Sequence, residues 1–433
     1  MRRRYWVYGL LFSLTAINYI DRMALAIASH QITQEFDISP FMLGLLLSSF
    51  LWLYLFALIP MGMLVDRYGT RLVNAWGIGV WSVATLLSAM SGGFSSMLIT
   101  RLLMGVGEST SYPAGGRVLR EWVPAGERGM ATSLFHAGSL IGPAIAALGL
   151  SIVVNSYGWR VAFVIAAAVG FVWMSAWLIW FRQPEVARWL SPQERSLILR
   201  TRDTGITSPL LDEPKLGLKT LLRSKTIWAI TFTHGCAVYT TYLFLTWLPS
   251  YLQAEKGLTL LKSGLYTAIP YLGAAVLGIV IGMLGDRAMK GKALGGGKRR
   301  VVVAACLLMS TPIFFVPFLN DIRIILAFFT ISLTGCTAAV AANLSLINDL
   351  IPSKEDSGTA IAVISTGGNF FGICAPIVTG YVISMTHQYH YGFVIAGVLL
   401  ALGALVSMFL TRKPIGQAKE KTDHVRVAPH TSY

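Results

Sequence analysis

Long apolar runs recur along the whole chain, and they are the feature that most constrains its fold. Each is close to the ~20 residues that an α-helix needs to cross the hydrocarbon core of a bilayer. Soluble proteins carry about 25% charged residues, whereas only 13% of these 433 residues are charged and 55% are hydrophobic. The sequence predicts an all-α membrane protein with twelve transmembrane helices, centred on 6–29, 42–65, 72–92, 95–116, 130–154, 160–181, 227–252, 263–285, 301–318, 323–347, 358–384 and 391–411.

The basic residues lie in alternate connections between these runs. The formal net charge is +15, which in a soluble protein would suggest nucleic-acid binding. Most of the lysines and arginines here fall in 2–4, 67–71, 117–128, 182–225, 287–300 and the tail, and cytoplasmic loops of membrane proteins carry such an excess. We therefore predict that both termini are cytoplasmic, and we expect no nucleic-acid partner.

Other sequence features exclude several classes of protein. The four cysteines are scattered through the predicted spans without a CxxC pair, and the histidines form no ligand pattern, so we expect no metal and no cofactor. The first apolar run leads straight into the second, so no cleavable signal peptide is expected. The Asn-X-Ser/Thr match at 343–345 lies inside a predicted span, which favours a bacterial inner membrane protein.

A polar, basic and proline-interrupted segment divides the chain. It covers 182–225 and is typical of a cytoplasmic linker, with a surface helix that starts after Ser191 as N-cap. The sequence thus predicts an N-terminal six-helix bundle (1–181), this linker, a C-terminal six-helix bundle (226–412) and a disordered cytoplasmic tail (413–433).

The two predicted bundles repeat one loop motif. "GMLVDRYGTR" (62–71) follows span two, and "GMLGDRAMKGK" (282–292) follows span eight. Gly62, Asp66 and Arg67 recur as a glycine, Asp286 and Arg287. Repeats of this size are typical of secondary transporters built from parallel halves, and we interpret the loops as a gating latch between the halves that breaks during transport.

These motifs resemble those of the major facilitator superfamily. The likeness covers the whole chain, including "YGWRVAF" (157–163) before span six and "PEVARWLSPQER" (184–195) after it. "NYIDR" in span one and "RLLMGVGESTSYP" in span four are similar to the anion:cation symporter family. The resemblance implies two pseudo-symmetric six-helix bundles, alternating access and a monomeric carrier of a small organic anion (a sugar acid or other carboxylate) in the lipid bilayer.

Four charged residues lie away from the ends of the predicted spans: Asp21 and Arg22 in span one, and Arg101 and Glu108 in span four. Intramembrane charges are costly, so they face a cavity, pair with one another and mark a substrate or ion path. Arg101 and Glu108 are seven residues apart, hence on one helix face and about 10 Å apart. An arginine attracts an organic anion, and a carboxylate binds and releases a proton.

The resemblance assigns roles at matching positions. It implies that Asp21 and Glu108 are the proton sites, that Arg22 contacts the substrate carboxylate, and that Arg101 couples protonation to substrate binding. Sodium is the alternative coupling ion. Pocket positions of the family match Tyr19, Tyr54, Ser139 and Asn369.

The chain departs from the galactonate carriers of that family. They have a glutamine where this chain has Ser139, and a serine and a tryptophan where it has Ala341 and Leu344. Because hydrogen-bonding groups are lost, the sequence favours a less hydroxylated or aromatic carboxylate, with "YTTYLFLTW" (239–247) as aromatic walls.

Two other functions compete with symport. A metabolite or drug antiporter is suggested by "GSLIGP" (138–143), which partly resembles an antiporter signature. A membrane enzyme or sensor would need a nucleophile–base pair, a metal cluster or a phosphate-binding loop, and none is evident. "GVGESTSYPAGG" is typical of a glycine-rich membrane helix, so we predict that the protein is not an enzyme.

Overall fold

A computed structural model describes residues 3–202, 217–289, 299–351, 354–412 and 415, without side chains at 282–289 and 354–355. These residues form α-helices joined by short connections, with 3₁₀ turns at Ala125–Glu127 and Thr311–Phe318. The α-helices are α1 (Tyr5–Phe36), α2 (Pro40–Tyr68), α3 (Thr70–Ala89), α4 (Phe94–Glu108), α5 (Ser111–Trp122), α6 (Arg128–Tyr157), α7 (Trp159–Trp180), α8 (Pro192–Thr201), α9 (Gly217–Arg223), α10 (Lys225–Ala254), α11 (Leu260–Met289), α12 (Arg299–Ser310), α13 (Ile322–Leu350), α14 (Lys354–Thr386) and α15 (His390–Leu410).

Local sequence signals set the helix ends. Ser39 caps α2 by accepting a hydrogen bond from the Met42 amide, with Pro40 at the first helical position, as helix starts favour. Gly69 and Gly158 have φ of 83° and 82°, a conformation that glycine adopts without steric cost. These two glycines let α2 turn directly into α3, and α6 into α7.

All twelve predicted spans are helical, and the predicted all-α class is confirmed. Ten helices of the described chain are long and apolar enough to cross a membrane. The other two predicted spans correspond to α10, which is rich in threonine and aromatic residues, and to the α4–α5 pair. The α4–α5 break at 109–110 lies one turn before Pro113, which has no amide N–H to continue the helix.

The two halves of the chain repeat one packing scheme. In the first half α1 packs on α6, α3 on α7, α2 on α4, and α3 on α4. The second half shows the corresponding pairs, α10 with α14, α12 with α15, α11 with α13, and α12 with α13. This correspondence is the pseudo-symmetry that the repeated loop motif predicts.

Close contacts between the halves lie toward one face of the molecule. We call it the far face; it carries the α1–α2 and α6–α7 turns, and the terminal face opposite carries Arg4 and the α2–α3 turn. A Cβ at Gly44 would lie 2.4 Å from the Pro376 carbonyl oxygen, and one at Gly380 would lie 2.5 Å from that of Pro40. The hydroxyls of Ser29 and Ser250 are 2.9 Å apart. The halves are therefore closed against each other at the far face.

The first part of the linker packs on the terminal face of the first half. Arg4 forms ion pairs with Glu127 at 2.7 Å and with Glu194 of α8 at 3.1 Å. The hydrogen bond with Glu127 raises the pKa of Arg4. Ser191 accepts a hydrogen bond from the Glu194 amide and caps α8, which confirms the predicted helix start. Trp189 stacks on Trp122 with ring centroids 5.3 Å apart.

Most of the predicted tail lies outside the described residues. Ile415, within it, is buried and donates its amide hydrogen to the Leu350 carbonyl oxygen at 2.9 Å. Ile415 thus lies beside the end of α13. The predicted division into two bundles with boundaries at 181 and 226 stays a prediction.

Candidate functional site

Asp21 and Arg22 lie in the middle of α1 and are 1% and 3% exposed. The helix is apolar on either side of them and packs against α6, α7 and α10, so their surroundings are protein. Charged groups this deeply buried need partners. Arg22 has several partners, and Asp21 has few.

Arg22 is paired with Glu108 of α4. Its Nε donates to Glu108 Oε2 at 2.8 Å, and both side chains are almost completely buried. The adjacent residues of "NYIDR" point in different directions, as expected from their separation around the helix. The partner that the structure gives to Glu108 is thus Arg22, the residue that the resemblance assigns to the substrate.

Aromatic side chains surround the Arg22 guanidinium. Its central carbon lies 4.7 Å from the ring centroid of Tyr19, 4.9 Å from that of Phe50 and 5.4 Å from that of Tyr54, within the range of cation–π attraction. Its Nη1 also donates to the hydroxyl of Tyr242 at 3.2 Å. Because Tyr242 lies on α10, Arg22 connects the first half to the second.

Asp21 and Arg101 lie on the other side of α1, toward α3 and α4. Arg101 is completely buried; its Nη1 is 3.5 Å from the Asp21 main-chain oxygen and 3.1 Å from Met104 Sδ. Neither carboxylate oxygen of Asp21 has a hydrogen-bond partner, although the Trp81 indole approaches the group. A buried carboxylate without a hydrogen-bond partner is costly.

Two glycines set the position of Glu108. A Cβ at Gly105 would lie 1.9 Å from the Phe50 carbonyl oxygen of α2, and one at Gly107 would lie 2.6 Å from the Trp81 amide nitrogen of α3. Both glycines allow neighbouring helices to approach α4 closely. Glu108 is the last residue of α4, so the break before α5 follows the charged group directly.

The other predicted pocket residues lie around this cluster in different ways. Tyr19 and Tyr54 contact Arg22, as described. Ser139 of α6 is half-buried, and its hydroxyl donates to the His136 carbonyl oxygen at 2.8 Å. Asn369 of α14 is half-buried and lies one turn before Gly372, whose Cβ position is 2.8 Å from the Tyr242 ring. The structure brings Tyr19 and Tyr54 to Arg22, but it gives Ser139 and Asn369 no such contact.

The first copy of the gating motif contacts its own half. Asp66 pairs with Arg117 of α5 at 3.1 Å and is 74% exposed, Gly62 lies near Pro113, and Arg67 lies on the ring of Tyr68. The backbone of Asp286 and Arg287 is part of α11, and their side chains lie outside the described residues. The latch between halves stays a prediction.

The antiporter-like segment of span five packs against α1. A Cβ at Gly138 would lie 2.7 Å from the Ala16 amide nitrogen, and one at Gly142 would lie 2.4 Å from the Ala16 carbonyl oxygen. Small residues are needed there for the close α1–α6 contact, so packing accounts for both glycines.

Three aromatic residues at the site were not among the predicted site residues. Tyr242 lies within the predicted aromatic wall (239–247) but was not named as a site residue. No sequence motif indicated Phe50 or Tyr112. Tyr112 follows the helix break and lies beside Tyr19 and Tyr54. Aromatic residues are common in membrane helices, and only tertiary packing distinguishes the aromatic residues at the site from the others.

Among the described residues, no cluster of histidine, cysteine or acidic side chains forms a metal site.

Comparison with known proteins agrees with this architecture. The family model described as "Major Facilitator Superfamily" matches residues 11–296 and 264–430. The D-galactonate transporter of Escherichia coli O6:H1 is 30% identical over 427 residues, which cover 96% of this chain and 97% of that protein. A Cupriavidus necator protein named "Probable sulfoacetate transporter" is 30% identical over 436 residues and 99% of both chains.

Two solved structures share the fold. They are structures of a bacterial homologue of the human lysosomal transporter Spinster, in inward-facing occupied and unoccupied conformations. The TM-scores are 0.73 and 0.69 at 17% and 16% identity, over 95% and 94% of this chain and 97% of each of those chains. The family model and the full-length relatives together establish that the chain belongs to the Major Facilitator Superfamily of membrane transporters, and is not an enzyme.

Proposed function

We propose that the protein is a proton-coupled symporter of a small organic anion that works by alternating access. One observation carries the proposal: the buried Arg22–Glu108 ion pair, which meets Tyr242 of the second half at the interface between the halves. A cation at this interface is placed to bind an anion, and its acidic partner is placed to bind a proton. The relatives named as galactonate and sulfoacetate transporters support an acidic substrate.

The coupling follows from competition for one guanidinium group. While Glu108 is ionised, it occupies Nε of Arg22. Protonation of Glu108 removes the negative charge that neutralises Arg22, so Arg22 attracts a substrate carboxylate and the total charge of the site is preserved. Asp21, whose main-chain oxygen is 3.5 Å from Arg101 Nη1, is the second proton site. A charge-neutral site is easier to carry through a conformational change in a low-dielectric interior.

The placement in the cell belongs to the same proposal. The basic residues of the terminal face support a cytoplasmic location of this face and of both termini, in a bacterial inner membrane. With the far face closed by Gly44 and Gly380, the conformation is then inward-facing. The halves 1–181 and 226–412 would rock as two bundles joined by the linker 182–225, in a monomer that binds no cofactor.

Uptake into proteoliposomes tests the proposal. The full chain is reconstituted, an inward proton gradient is imposed, and uptake of radiolabelled galactonate and benzoate is followed. We expect accumulation of at least one carboxylate, and its loss when a protonophore collapses the gradient. Replacement of sodium by choline should leave uptake unchanged. Accumulation that needs sodium, or export of cationic compounds without carboxylate uptake, would contradict proton symport.

A further inference from the structure

Arg22 and Arg101 are the only arginine or lysine residues of the sequence at the depth of the site. In the sequence, the stretches 226–255, 263–286, 301–322, 324–353 and 355–411 contain no lysine or arginine. In the first half, the corresponding stretches contain Arg22 and Arg101, and the other basic residues lie at helix ends and in connections. A substrate at this depth therefore has at most two guanidinium groups to neutralise its charge.

Arg101 lies in the interior of the first half. Its side chain is completely buried, and Nε and Nη2 have no hydrogen-bond partner. Its neighbours are the Asp21 main-chain oxygen, Met104 Sδ and the Phe50 ring, 5.6 Å from the centroid. All of these belong to α1, α2 and α4. Since no residue of the second half is among them, Arg101 is not placed to contact a ligand held between the halves.

One edge of the Arg22 guanidinium group has hydrogen-bond donors without a partner. Nε is used by Glu108 and one Nη1 hydrogen by Tyr242, while Nη2 has no partner and the residue is 3% exposed. The Nη1–Nη2 edge matches one carboxylate, which accepts two parallel hydrogen bonds from it. A carboxylate there would meet the Tyr242 hydroxyl, which then donates to it.

Tyrosines of both halves lie around Arg22 or around its neighbour Tyr19. Tyr19, Tyr54 and Tyr112 come from the first half, and Tyr242 and Tyr271 come from the second, with Tyr271 in electrostatic contact with Tyr19. The hydroxyl of Tyr271 is buried and has no hydrogen-bond partner. These groups offer rings and neutral hydroxyls to the body of a ligand, but no second positive charge.

We propose that the site selects monoanions: one carboxylate binds the free edge of Arg22, and an uncharged body lies between the tyrosines of the two halves. The inference rests on the proposed function and narrows its substrate class. A diacid would leave its second carboxylate buried without a cation, which costs far more than burying a hydroxyl. An aromatic ligand and a hydroxylated ligand can both pack between tyrosine side chains. The single negative charge is therefore the property that defines the substrate class.

Two matched pairs of acids test the charge rule on the purified full-length chain. Galactonate is compared with galactarate, and benzoate with phthalate, by titration calorimetry at pH 7.5, where every carboxyl is ionised. We expect the monoacid to bind at least about tenfold more tightly in each pair that binds. Comparison of the affinities of galactonate and benzoate shows whether the site favours a hydroxylated or an aromatic body. Tighter binding of a diacid in either pair overturns the inference, while proton-driven uptake can still hold.

Tyrosine variants test the binding position. Tyr242→Phe should weaken monoacid binding about tenfold, because a hydrogen bond to a charged group is lost. Tyr251→Phe is the matched control, since Tyr251 lies on the same helix, buried against Phe393, and it should change the affinity less than twofold. Equal effects of the two variants overturn the inference. If no carboxylate of either charge binds or is taken up, the proposed function fails with it.

Discussion

The two halves of the molecule share a scheme of helix packing and differ in chemistry. The first half buries Asp21, Arg22, Arg101 and Glu108 at mid-depth, whereas the helices of the second half carry no lysine or arginine at that depth. The second half meets the charged cluster with the Tyr242 hydroxyl. In the proposed mechanism, the first half holds the groups that bind proton and anion, and the second half supplies a neutral surface that moves relative to it.

The largest expected effect comes from removing the acids of the first half. Glu108→Gln and Asp21→Asn keep the side-chain shape but remove the ionisable carboxyl group. Neither amide can bind and release a proton. We expect each to reduce proton-driven accumulation at least about 100-fold, while exchange of labelled for unlabelled substrate across the membrane, which needs no net proton movement, persists.

Glu35→Gln is the matched control for these variants. Glu35 lies near the end of the same helix as Asp21, is 42% exposed and pairs with Arg160 at 2.7 Å. Exposed pairs contribute about 0–1 kcal/mol, so uptake should be unchanged. Proton-driven uptake that survives both core substitutions would show that the charge asymmetry of the halves has no role in coupling.

A smaller loss of function is expected when Arg22 is replaced by a cation of different shape. Arg22→Lys removes the planar edge that binds two carboxylate oxygens. We expect substrate affinity to fall about 10- to 100-fold, because one hydrogen bond to a charged group is lost at about 1.5–3 kcal/mol. Titration calorimetry measures the change, with Arg160→Lys at the far face as control. Unaltered affinity would place the anion elsewhere.

The contact between the halves at the far face can be weakened without touching the charges. Gly44→Ala places a Cβ against the Pro376 carbonyl oxygen, so the closed far face is destabilised and the population shifts toward the opposite conformation. We expect uptake to slow several-fold, and a cysteine introduced at Ser250 to become more reactive to a membrane-impermeant thiol reagent in the Gly44→Ala background.

Gly149→Ala is the control, since no atom lies within 4 Å of its Cβ position. If both alanine variants transported alike and the thiol reactivity did not differ, the far face would not be the gate between the halves.

The smallest effect concerns the link between the first half and α8. Arg4→Gln breaks the ion pairs with Glu127 and Glu194, so α8 should detach more easily. We expect cleavage by trypsin in 195–202 to become faster and the thermal midpoint to fall by about 1 °C, as for a loss near 1 kcal/mol in a chain of this size. Uptake should stay within about twofold. No change in cleavage would mean that packing of Trp189 on Trp122 alone holds the linker.

The sequence predicted the helices better than their contacts. Apolar runs set by bilayer thickness gave all twelve helical segments, and Ser191 gave the start of α8. Span four is broken one turn before Pro113, whereas its apolar run predicted one continuous helix. The spacing of residues also did not predict that Glu108 pairs with Arg22. Residues seven apart share a face of one helix, but which neighbouring helix that face meets depends on glycines such as Gly105 and Gly107, where a backbone can approach closely.

Movement of protons with the anion is the central claim, and it is measured directly by imposing only a substrate gradient. Proteoliposomes containing a trapped pH-sensitive dye receive the monocarboxylate that binds most tightly, at equal internal and external pH. The account predicts internal acidification with the wild-type chain and none with Glu108→Gln. Entry of the carboxylate without acidification in the wild-type chain would contradict it.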